Sequence, residues 1–452
     1  RLALTAMRDR PDGIRSVVLD SVYPPPVDSY VNLPGNTERV FNQLFGDCEA
    51  DPACQSAYPT LEADFYELVD LANSQPLIVP AEHPETGEKL DIPVDGDDLV
   101  GEFFLAFYDE SLIAYLPLII DQAHKGDPTV LTPLTDFALQ VTLSGSDGMH
   151  NSVQCYEEVP FNSPEAIIQA IQAIPPALRA FTITGTLETC EMWGAGTPPP
   201  VETAPVSSQI PTLILEGRYD PITPPSYGQI AAKTLTNSLY YEFPGMGHGV
   251  SNSDCPGSIA ADFVGNPSGK PDTSCMQKMD SLKFARSDSL YLTPSAYRLI
   301  TALFSDKSPH PFILLALAGL FFLMLIYVSL YGLLRLLRCW PGSVARADGL
   351  FHALLGAVAA LNLIFVASMA FLIFWTILDD ASQLYFGLPR VAQVLSLFPL
   401  LAAVTTAGLV IFLIVAWIRR YWSLARRILY ATLVLVLLAY LWYVSYWGLW
   451  GF

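Results

Sequence analysis

Several common features are missing from this sequence of 452 residues. It has no G-x-S-x-G motif, no C-x-x-C pair and only six histidines. The first of these motifs exposes a nucleophilic serine on a sharp strand-to-helix turn, so no serine of this sequence stands in that setting. C-x-x-C pairs with histidines nearby hold most structural zinc ions, so we expect no metal site.

Basic residues are also scarce. The sequence has 24 Lys and Arg against 44 Asp and Glu, a formal net charge of −20. Residues 311–452 contain eight Arg and three Asp, a net of +5, so residues 1–310 carry the remaining −25. A strongly acidic region repels the phosphates of nucleic acids, and we therefore expect no nucleic-acid partner.

Asp, Glu, Lys and Arg are absent altogether from four long stretches, 312–334, 349–378, 391–418 and 428–452. Each is long enough to cross about 30 Å of hydrocarbon as a helix. Buried core helices are the alternative, but four successive runs of this length are unusual for a soluble core. We predict a C-terminal region of four transmembrane helices, with the lipid bilayer as a partner.

The loops between these stretches predict an orientation. The loops after the first and third stretches are basic, whereas the loop between them holds Asp379, Asp380 and only Arg390. Cytoplasmic loops carry an excess of Lys and Arg, which places the basic loops inside and the N-terminal region outside the cytoplasm. The arginines of the basic loops are Arg335, Arg338, Arg346, Arg419, Arg420, Arg426 and Arg427.

One residue within these stretches bears on what the four helices do. His352 is the only ionisable candidate that we identify within them, and it lies near one end of its stretch. Transport pathways place ionisable groups inside the membrane, so we expect an anchor or assembly module rather than a transport, sensing or lipid-handling role. A protein partner is left open.

The cysteines agree with an extracytoplasmic N-terminal region. Six of the seven lie before residue 276, and an even number in one region indicates disulfides formed in an oxidising compartment. The sequence leaves their pairing open, and we favour nearest neighbours. Cys339 is the remaining one, expected as a free thiol or an acylation site. The six are Cys48, Cys54, Cys155, Cys190, Cys255 and Cys275.

The N-terminal region has an interrupted α/β pattern. Strands are expected at 14–19, 212–216 and 239–243, and Thr223-Pro224 resembles the start of a helix. We predict a partial α/β core from residues 1–27 and 186–276, with a mostly helical cap insertion at 28–185. A juxtamembrane linker and helix at 277–311 then precede the four-helix transmembrane region at 312–452.

Two residues of the predicted core stand where chemistry is expected. Asp220 follows an apolar strand, and His248 lies in a glycine-rich turn after the next strand, at Gly245-Met246-Gly247-His248-Gly249. An acid and a histidine in this order form the last two members of a Ser-Asp-His triad. The ordinary alternatives are an Asp-Pro turn and a polar turn histidine.

Several segments together resemble one known family. The chain is similar to α/β-hydrolases of the tripeptidyl-aminopeptidase-like group, which are related to prolyl aminopeptidases. The resemblance covers nearly all of residues 1–276 and none of the four apolar stretches. It rests on Arg1–Pro26 (RLALTAMRDRPDGIRSVVLDSVYPPP), Cys48–Cys54 (CEADPAC), Tyr108–Asp127, Gly148–Phe161 (GMHNSVQCYEEVPF), Pro211–Pro225 (PTLILEGRYDPITPP), Phe243–Gly249 (FPGMGHG) and Cys255–Cys275.

The resemblance implies where the missing serine belongs. In this family a motif of the form G-x-S-Y-G-T-R-L-A leads into the segment that begins here at Arg1. The serine is therefore expected before Arg1, so that the chain is N-terminally truncated and inactive by itself. The competing interpretation, a natural pseudo-hydrolase without its front half, would leave a long apolar sheet edge exposed.

The resemblance also implies roles for individual residues. His248 would be the general base and Asp220 would orient it, while Glu157 or Glu158 would hold the free ammonium group of a substrate. The alternative for the two glutamates is a solvated acidic loop. We expect Asp20 to be a structural turn residue. The aromatic residues of 103–115 are expected in the core rather than in a substrate pocket.

These expectations combine into one functional hypothesis. The protein would be a multi-pass protein of a bacterial cell membrane, with an extracytoplasmic serine hydrolase region of the aminopeptidase type acting on a peptide or a small acyl substrate. A serine triad needs no cofactor, and none is implied. An esterase or lipase on the same scaffold, or a non-catalytic binding or sensor module, are the alternatives.

Overall fold

The computed structural model describes residues 1–180, 184–279, 282–304, 308–337 and 345–450. The chain forms two compact units, Arg1–Arg286 and Ser287–Phe452. Cys339 and Arg338, which the sequence places in the first basic loop, lie outside the described residues.

Seven strands occur among the described residues, five of them in the first unit. They are β1 Val17–Asp20, β2 Leu77–Glu82, β3 Lys89–Val94, β4 Thr212–Gly217, β5 Ser238–Phe243, β6 Leu290–Leu292 and β7 Gly387–Pro389.

The described part of the first unit contains thirteen α-helices. They are α1 Leu2–Asp9, α2 Ser29–Ala50, α3 Pro52–Ala57, α4 Leu61–Ser74, α5 Gly96–Ala106, α6 Glu110–Ile113, α7 Leu116–His124, α8 Thr132–Ser144, α9 Asp147–Val153, α10 Pro164–Ala173, α11 Thr184–Trp193, α12 Pro225–Ala232 and α13 Asp254–Gly265.

Three parallel strands form the sheet that carries the site, in the order β1-β4-β5. Leu19 of β1 pairs with Ile214 of β4, which pairs in turn with Tyr240 of β5. Every residue of the central strand β4 is buried. The parallel sheet confirms the predicted α/β class, although the first strand is shorter than expected and begins at Val17.

The sheet is buried on both faces because β4 alternates its side chains between two apolar clusters. Ile214 packs with Leu4, Met7, Leu19 and Leu235 on one side. Leu213 and Leu215 pack with Phe243, Ile259 and Phe263 on the other. Parallel strands end at the same edge of a sheet, so the loops after β1, β4 and β5 meet there.

Residues 28–185 are mostly helical, but they also contain an antiparallel hairpin formed by β2 and β3. The aromatic residues of 103–115 belong largely to this core, as expected. Phe103 and Phe107 are fully buried, and both contact Phe41 of α2. An aliphatic-aromatic core of this kind fixes α2 against α5.

Three cysteine pairs lie at disulfide distance in the first unit. The sulfur–sulfur separations are 1.96 Å for Cys48–Cys54, 2.01 Å for Cys155–Cys190 and 2.12 Å for Cys255–Cys275. These are the nearest-neighbour pairs that we favoured from the sequence. The last pair closes a segment that begins shortly after His248.

The described part of the second unit holds seven helices and the β6–β7 pair. Four of these helical segments are long and apolar enough to cross a membrane: His310–Leu336, Ala347–Asp380, Val391–Ile418 and Leu424–Tyr446. The helices are α14 Pro294–Phe304, α15 His310–Leu336, α16 Ala345–Asp380, α17 Gln383–Phe386, α18 Val391–Leu395, α19 Leu397–Ile418 and α20 Leu424–Tyr446.

A buried polar network joins α15, α16 and the loop between α19 and α20. Asp348 of α16 accepts hydrogen bonds from Tyr331 Oη (2.6 Å) and Trp422 Nε1 (3.1 Å). The ring of His352 stacks on that of Tyr331, with centroids 3.6 Å apart, and its Nε2 lies 3.1 Å from Tyr327 Oη. The sequence pointed to His352 alone, because Asp348 stands one residue outside the uncharged stretch.

Candidate active site

Asp220 is held in a turn directly after the buried strand β4. It is completely inaccessible to solvent. One carboxylate oxygen, Oδ1, accepts hydrogen bonds from the backbone amides of Ile222 at 2.9 Å and Thr223 at 2.8 Å. A buried carboxylate needs such donors, because burying an unpaired charge is costly. These contacts leave the second oxygen, Oδ2, for another partner.

That partner is His248, in the loop after β5. Its Nδ1 lies 2.8 Å from Asp220 Oδ2, while its side chain remains 35% exposed. The Nε2 atom of the imidazole has no hydrogen-bond partner among the described residues. A histidine held in this way through Nδ1 can accept or donate a proton at Nε2.

Thr223 adds a third group to this pair. Its hydroxyl donates to Asp220 Oδ2 at 2.7 Å and lies 3.1 Å from His248 Nδ1. The sequence suggested a helix cap here, which is wrong: α12 begins at Pro225, with Pro224 at its N-cap position. The hydroxyl is used by Asp220 instead, and its spacing three residues after the acid was the available signal.

Glycine is required where the two loops touch. A Cβ at Gly217, the last residue of β4, would lie 1.9 Å from Gly247 O, and one at Gly247 would lie 2.2 Å from Phe107 O. The next amide, His248 N, donates to Tyr108 O at 3.2 Å. These close backbone contacts bring His248 within reach of Asp220. Gly217 and Gly247 are therefore needed for the shape of the backbone.

The electrostatics of the site favour a charged imidazole. Burial lowers the pKa of His248, but the hydrogen bond and negative charge of Asp220 outweigh burial, and the net pKa is raised. Asp20 acts in the same direction. The neighbouring Glu216 is fully buried, and burial followed by repulsion from Asp220 raises its pKa to about 10, so it is neutral at pH 7. Sequence reasoning did not identify this neutral carboxyl group.

Glu157 and Glu158 differ in their surroundings. Glu158 is 6% exposed, and its carboxylate pairs with the guanidinium of Arg1 at 2.8 Å and accepts the hydroxyl proton of Tyr23. Glu157 accepts a hydrogen bond from Arg1 through its backbone oxygen, and its carboxylate forms no hydrogen bond or ion pair among the described residues. The carboxylate of Glu158 thus contacts Arg1 and Tyr23 rather than Asp220 or His248.

The end of β1 also reaches the site. Asp20, which we expected to be a structural turn residue, accepts two backbone hydrogen bonds from the loop that follows His248. Across the residues that the structure describes, no group of three or more His, Cys, Asp or Glu side chains could hold a metal ion.

Comparisons with known proteins agree with this geometry. Residues 176–275 match the α/β-hydrolase family model described as TAP-like protein. The serine protease Hip1 of Mycobacterium bovis (strain ATCC BAA-935 / AF2122/97) is 23% identical over 273 residues, which are 55% of this chain and 50% of that protein. The same values hold for Hip1 of Mycobacterium tuberculosis, in strains CDC 1551 / Oshkosh and ATCC 25618 / H37Rv.

The chain thus spans about half the length of the curated relatives it matches. The matched family region contains both Asp220 and His248. The protein therefore contains a TAP-like α/β-hydrolase region, in a chain that also carries four helices long and apolar enough to cross a membrane.

Proposed function

We propose that this protein is a membrane-anchored serine hydrolase of the peptidase type, in which Asp220 and His248 are two members of the catalytic triad. The observation that carries the proposal is the 2.8 Å contact between His248 Nδ1 and Asp220 Oδ2, at the ends of neighbouring parallel strands. The nucleophilic serine would lie in a segment that precedes Arg1. The family match and the similarity to a serine protease support this assignment.

In this proposal His248 Nε2 takes the proton of the serine hydroxyl as the serine attacks the carbonyl carbon of the substrate. The imidazolium then gives that proton to the leaving group, and a water molecule releases the acyl group by the same route. Asp220 keeps the Nδ1 proton on the inner side of the ring and stabilises the imidazolium. Thr223 holds the carboxylate in place through its hydroxyl.

Charge gives an argument about the substrate. The region before residue 311 carries a charge of −25, which attracts cationic amines. Of the two glutamates that the resemblance points to, Glu157 fits an ammonium ligand better, because the carboxylate of Glu158 is already paired with Arg1. A substrate ammonium would form a charge-assisted hydrogen bond with Glu157. We therefore favour an aminopeptidase over an endopeptidase.

We further propose that the hydrolase region lies outside the cytoplasm of a bacterial cell. Three cysteine pairs at disulfide distance suit an oxidising compartment. The arginine-rich loops after the first and third apolar helices suit the cytoplasmic side, which places the first unit opposite. The comparison proteins come from Mycobacterium, which supports a bacterial cell membrane.

The test is labelling with a fluorophosphonate probe, which reacts with activated serines. The native protein, expressed from its gene with its natural upstream sequence, is compared with His248→Ala and Asp220→Asn in isolated membranes. We expect labelling of the native protein, near-complete loss in the histidine variant and a strong loss in the aspartate variant. Equal labelling of native protein and His248→Ala would contradict the assignment.

Two further arms separate the alternatives. The 452-residue chain itself should not label, and if it does the nucleophile is not upstream. Substrates with a free and a blocked N-terminus, together with a fatty-acid ester, then distinguish the reaction classes. An aminopeptidase cleaves only the first, and equal cleavage of the blocked peptide contradicts a role for Glu157. Preference for the ester favours an esterase or lipase.

A further inference from the structure

Three consecutive backbone amides follow His248, and all three donate to side chains at the end of β1. The amides belong to residues 249–251. The first donates to Ser21 Oγ at 2.9 Å, and the other two donate to the two carboxylate oxygens of Asp20, each at 2.9 Å. A carboxylate that accepts hydrogen bonds from two successive backbone amides restrains the loop more than a solvated turn residue would, because its bonds to amides are charge-assisted. We call Asp20 and Ser21, which accept these three bonds, the clamp.

Ser21 adopts an unusual conformation to take part in this clamp. Its φ is +54°, in the left-handed region that few residues other than glycine use, and its side chain is buried. Its amide still donates to Leu215 O of β4 at 2.9 Å. A strained residue persists only where its surroundings determine its conformation, and such residues cluster at functional sites.

The loop is also held from its other side. His248 N donates to Tyr108 O at 3.2 Å, and the ring of Tyr108 lies 5.0 Å from the imidazole between centroids. The backbone around His248 is therefore fixed at four successive amides by two different parts of the first unit. Asp20 also places a negative charge near the imidazole, which helps to raise the pKa of His248 after the larger effects of burial and Asp220.

We propose that Asp20 and Ser21 are positioning residues for His248. They hold residues 249–251 so that Nδ1 of the imidazole meets Asp220 Oδ2 without a search among loop conformations. The role rests on the function proposed above and deepens it. Asp20 and Ser21 thereby help to orient His248, which a residue that only forms the turn after β1 would not do.

The test reads His248 directly, in the full 452-residue chain in detergent micelles. Histidine labelled with ¹³C and ¹⁵N gives signals from only six residues, and His248→Gln identifies the signal of His248. Two variants weaken the clamp, Asp20→Asn and Ser21→Ala. Asp12→Asn removes an exposed carboxylate just before β1 and is the matched control for charge.

We expect Asp20→Asn to lower the pKa of His248, because it removes a nearby negative charge, and to broaden or abolish the low-field Nδ1–H signal. Ser21→Ala changes no charge, so it should leave the pKa almost unchanged while it speeds exchange of the Gly249 amide and weakens the Nδ1–H signal. Asp12→Asn should behave as the unmodified chain. We expect the weaker Nδ1–H signals of the two clamp variants to arise from rotamer disorder of the imidazole and not from global unfolding.

Unchanged Nδ1–H signals and an unchanged His248 pKa in both clamp variants would overturn the proposal. If Asp20→Asn fails to fold, Ser21→Ala decides alone, because it removes one acceptor without a change of charge. A wild-type Nδ1–H signal and Gly249 exchange rate in Ser21→Ala would then overturn it.

These measurements do not depend on the nucleophile, so they separate the two proposals. Loss of the Nδ1–H signal in the clamp variants, with no probe labelling of the native protein, would remove the proposed hydrolase function and leave Asp20 and Ser21 as residues that orient His248. Labelling of the native protein, with unchanged Nδ1–H signals in the clamp variants, would support the proposed hydrolase function and remove the positioning role of Asp20 and Ser21.

Discussion

Asp220 Oδ2 lies 2.8 Å from Nδ1 of His248, although 28 residues separate the two in the chain. The contact is possible because β4 and β5 are parallel neighbours whose ends meet at one edge of the sheet. The carboxylate is completely buried and the imidazole is not. The pair therefore has one side sealed by protein and one side open to a reacting group.

The raised pKa of His248 predicts a definite pH dependence. A histidine whose folded pKa exceeds its unfolded value of 6.5 stabilises the fold fully below that value, and this contribution is lost as the pH rises through the folded pKa. The excess stability of the unmodified chain over His248→Gln should therefore be greatest below pH 6.5 and shrink above it. Thermal unfolding across pH 5 to 9 measures this, and Asp220→Asn should flatten the difference.

The same shift predicts the acid limb of any hydrolysis by the native protein. Nε2 must be neutral to act as a base, so kcat/KM should rise with pH through the raised pKa of His248 and not through 6.5. Asp20→Asn should move this limb to lower pH. An acid limb that stays in place in Asp20→Asn would speak against an electrostatic contribution from the end of β1.

Thr223 provides a test at a single hydroxyl group. Thr223→Val keeps the branched shape but removes a donor to the buried carboxylate of Asp220, and Thr223→Ser keeps the hydroxyl. We expect the valine variant to lose about 1–2 kcal/mol of unfolding free energy and the serine variant to lose clearly less. Chemical denaturation gives the values. Similar losses in both variants would indicate that the methyl group matters and the hydroxyl does not.

Arg39 connects α2 to the turn that carries Asp220. Its guanidinium donates to the backbone oxygens of Arg218, at 2.8 Å, and of Asp220. Arg39→Met would leave two carbonyl groups without this donor, and we expect a loss of about 1–3 kcal/mol. Arg15→Met is the matched control, because exposed Arg15 donates to one carbonyl, Gly265 O. A surface change of that kind should stay within about 0.5 kcal/mol.

The sequence was sufficient for some parts of the site and not for others. The contact between Asp220 and His248 could be expected from the sequence because each residue follows an apolar strand, and strand ends in a parallel sheet share one edge. The role of Thr223 was missed because Thr-Pro before a helix usually signals a cap. Asp20 was undervalued for a physical reason: its partners are backbone amides 230 and 231 residues away, which carry no side-chain signature.

The fold, like the site, could be predicted from the sequence in some parts and not in others. Long uncharged stretches predicted the four apolar helices, because the length of a span is set by the bilayer. The hairpin of β2 and β3 was not predicted, since it is a local pairing with its own two-stranded sheet inside a mostly helical region. Asp348 was missed because a stretch defined by the absence of charged residues begins just after it, so that Asp348 was counted with the preceding loop. Its partners become evident only when three segments are packed together.

The disulfides predict an order of stabilities. The chain-entropy model relates the stabilisation to the logarithm of the loop length, and the cysteines lie 6 residues apart in Cys48–Cys54 and 20 apart in Cys255–Cys275. Replacing both cysteines by serine should therefore cost about 1 kcal/mol more for the second pair than for the first. Urea denaturation of the two double variants measures the difference. The reverse order would show that local packing outweighs loop entropy.

The network around Asp348 predicts that the second unit depends on one tyrosine hydroxyl. Tyr331→Phe removes a donor 2.6 Å from the carboxylate of Asp348 and should lower the unfolding free energy by about 0.5–1.5 kcal/mol in micelles. Tyr385→Phe, at a partly exposed tyrosine of the same unit, is the control and should have little effect. Equal stabilities of the two variants would mean that solvent or Trp422 satisfies the carboxylate just as well. A selective loss in Tyr331→Phe would instead show that this hydrogen bond holds α15 and α16 together, because an apolar environment offers the carboxyl group of Asp348 few other hydrogen-bond donors.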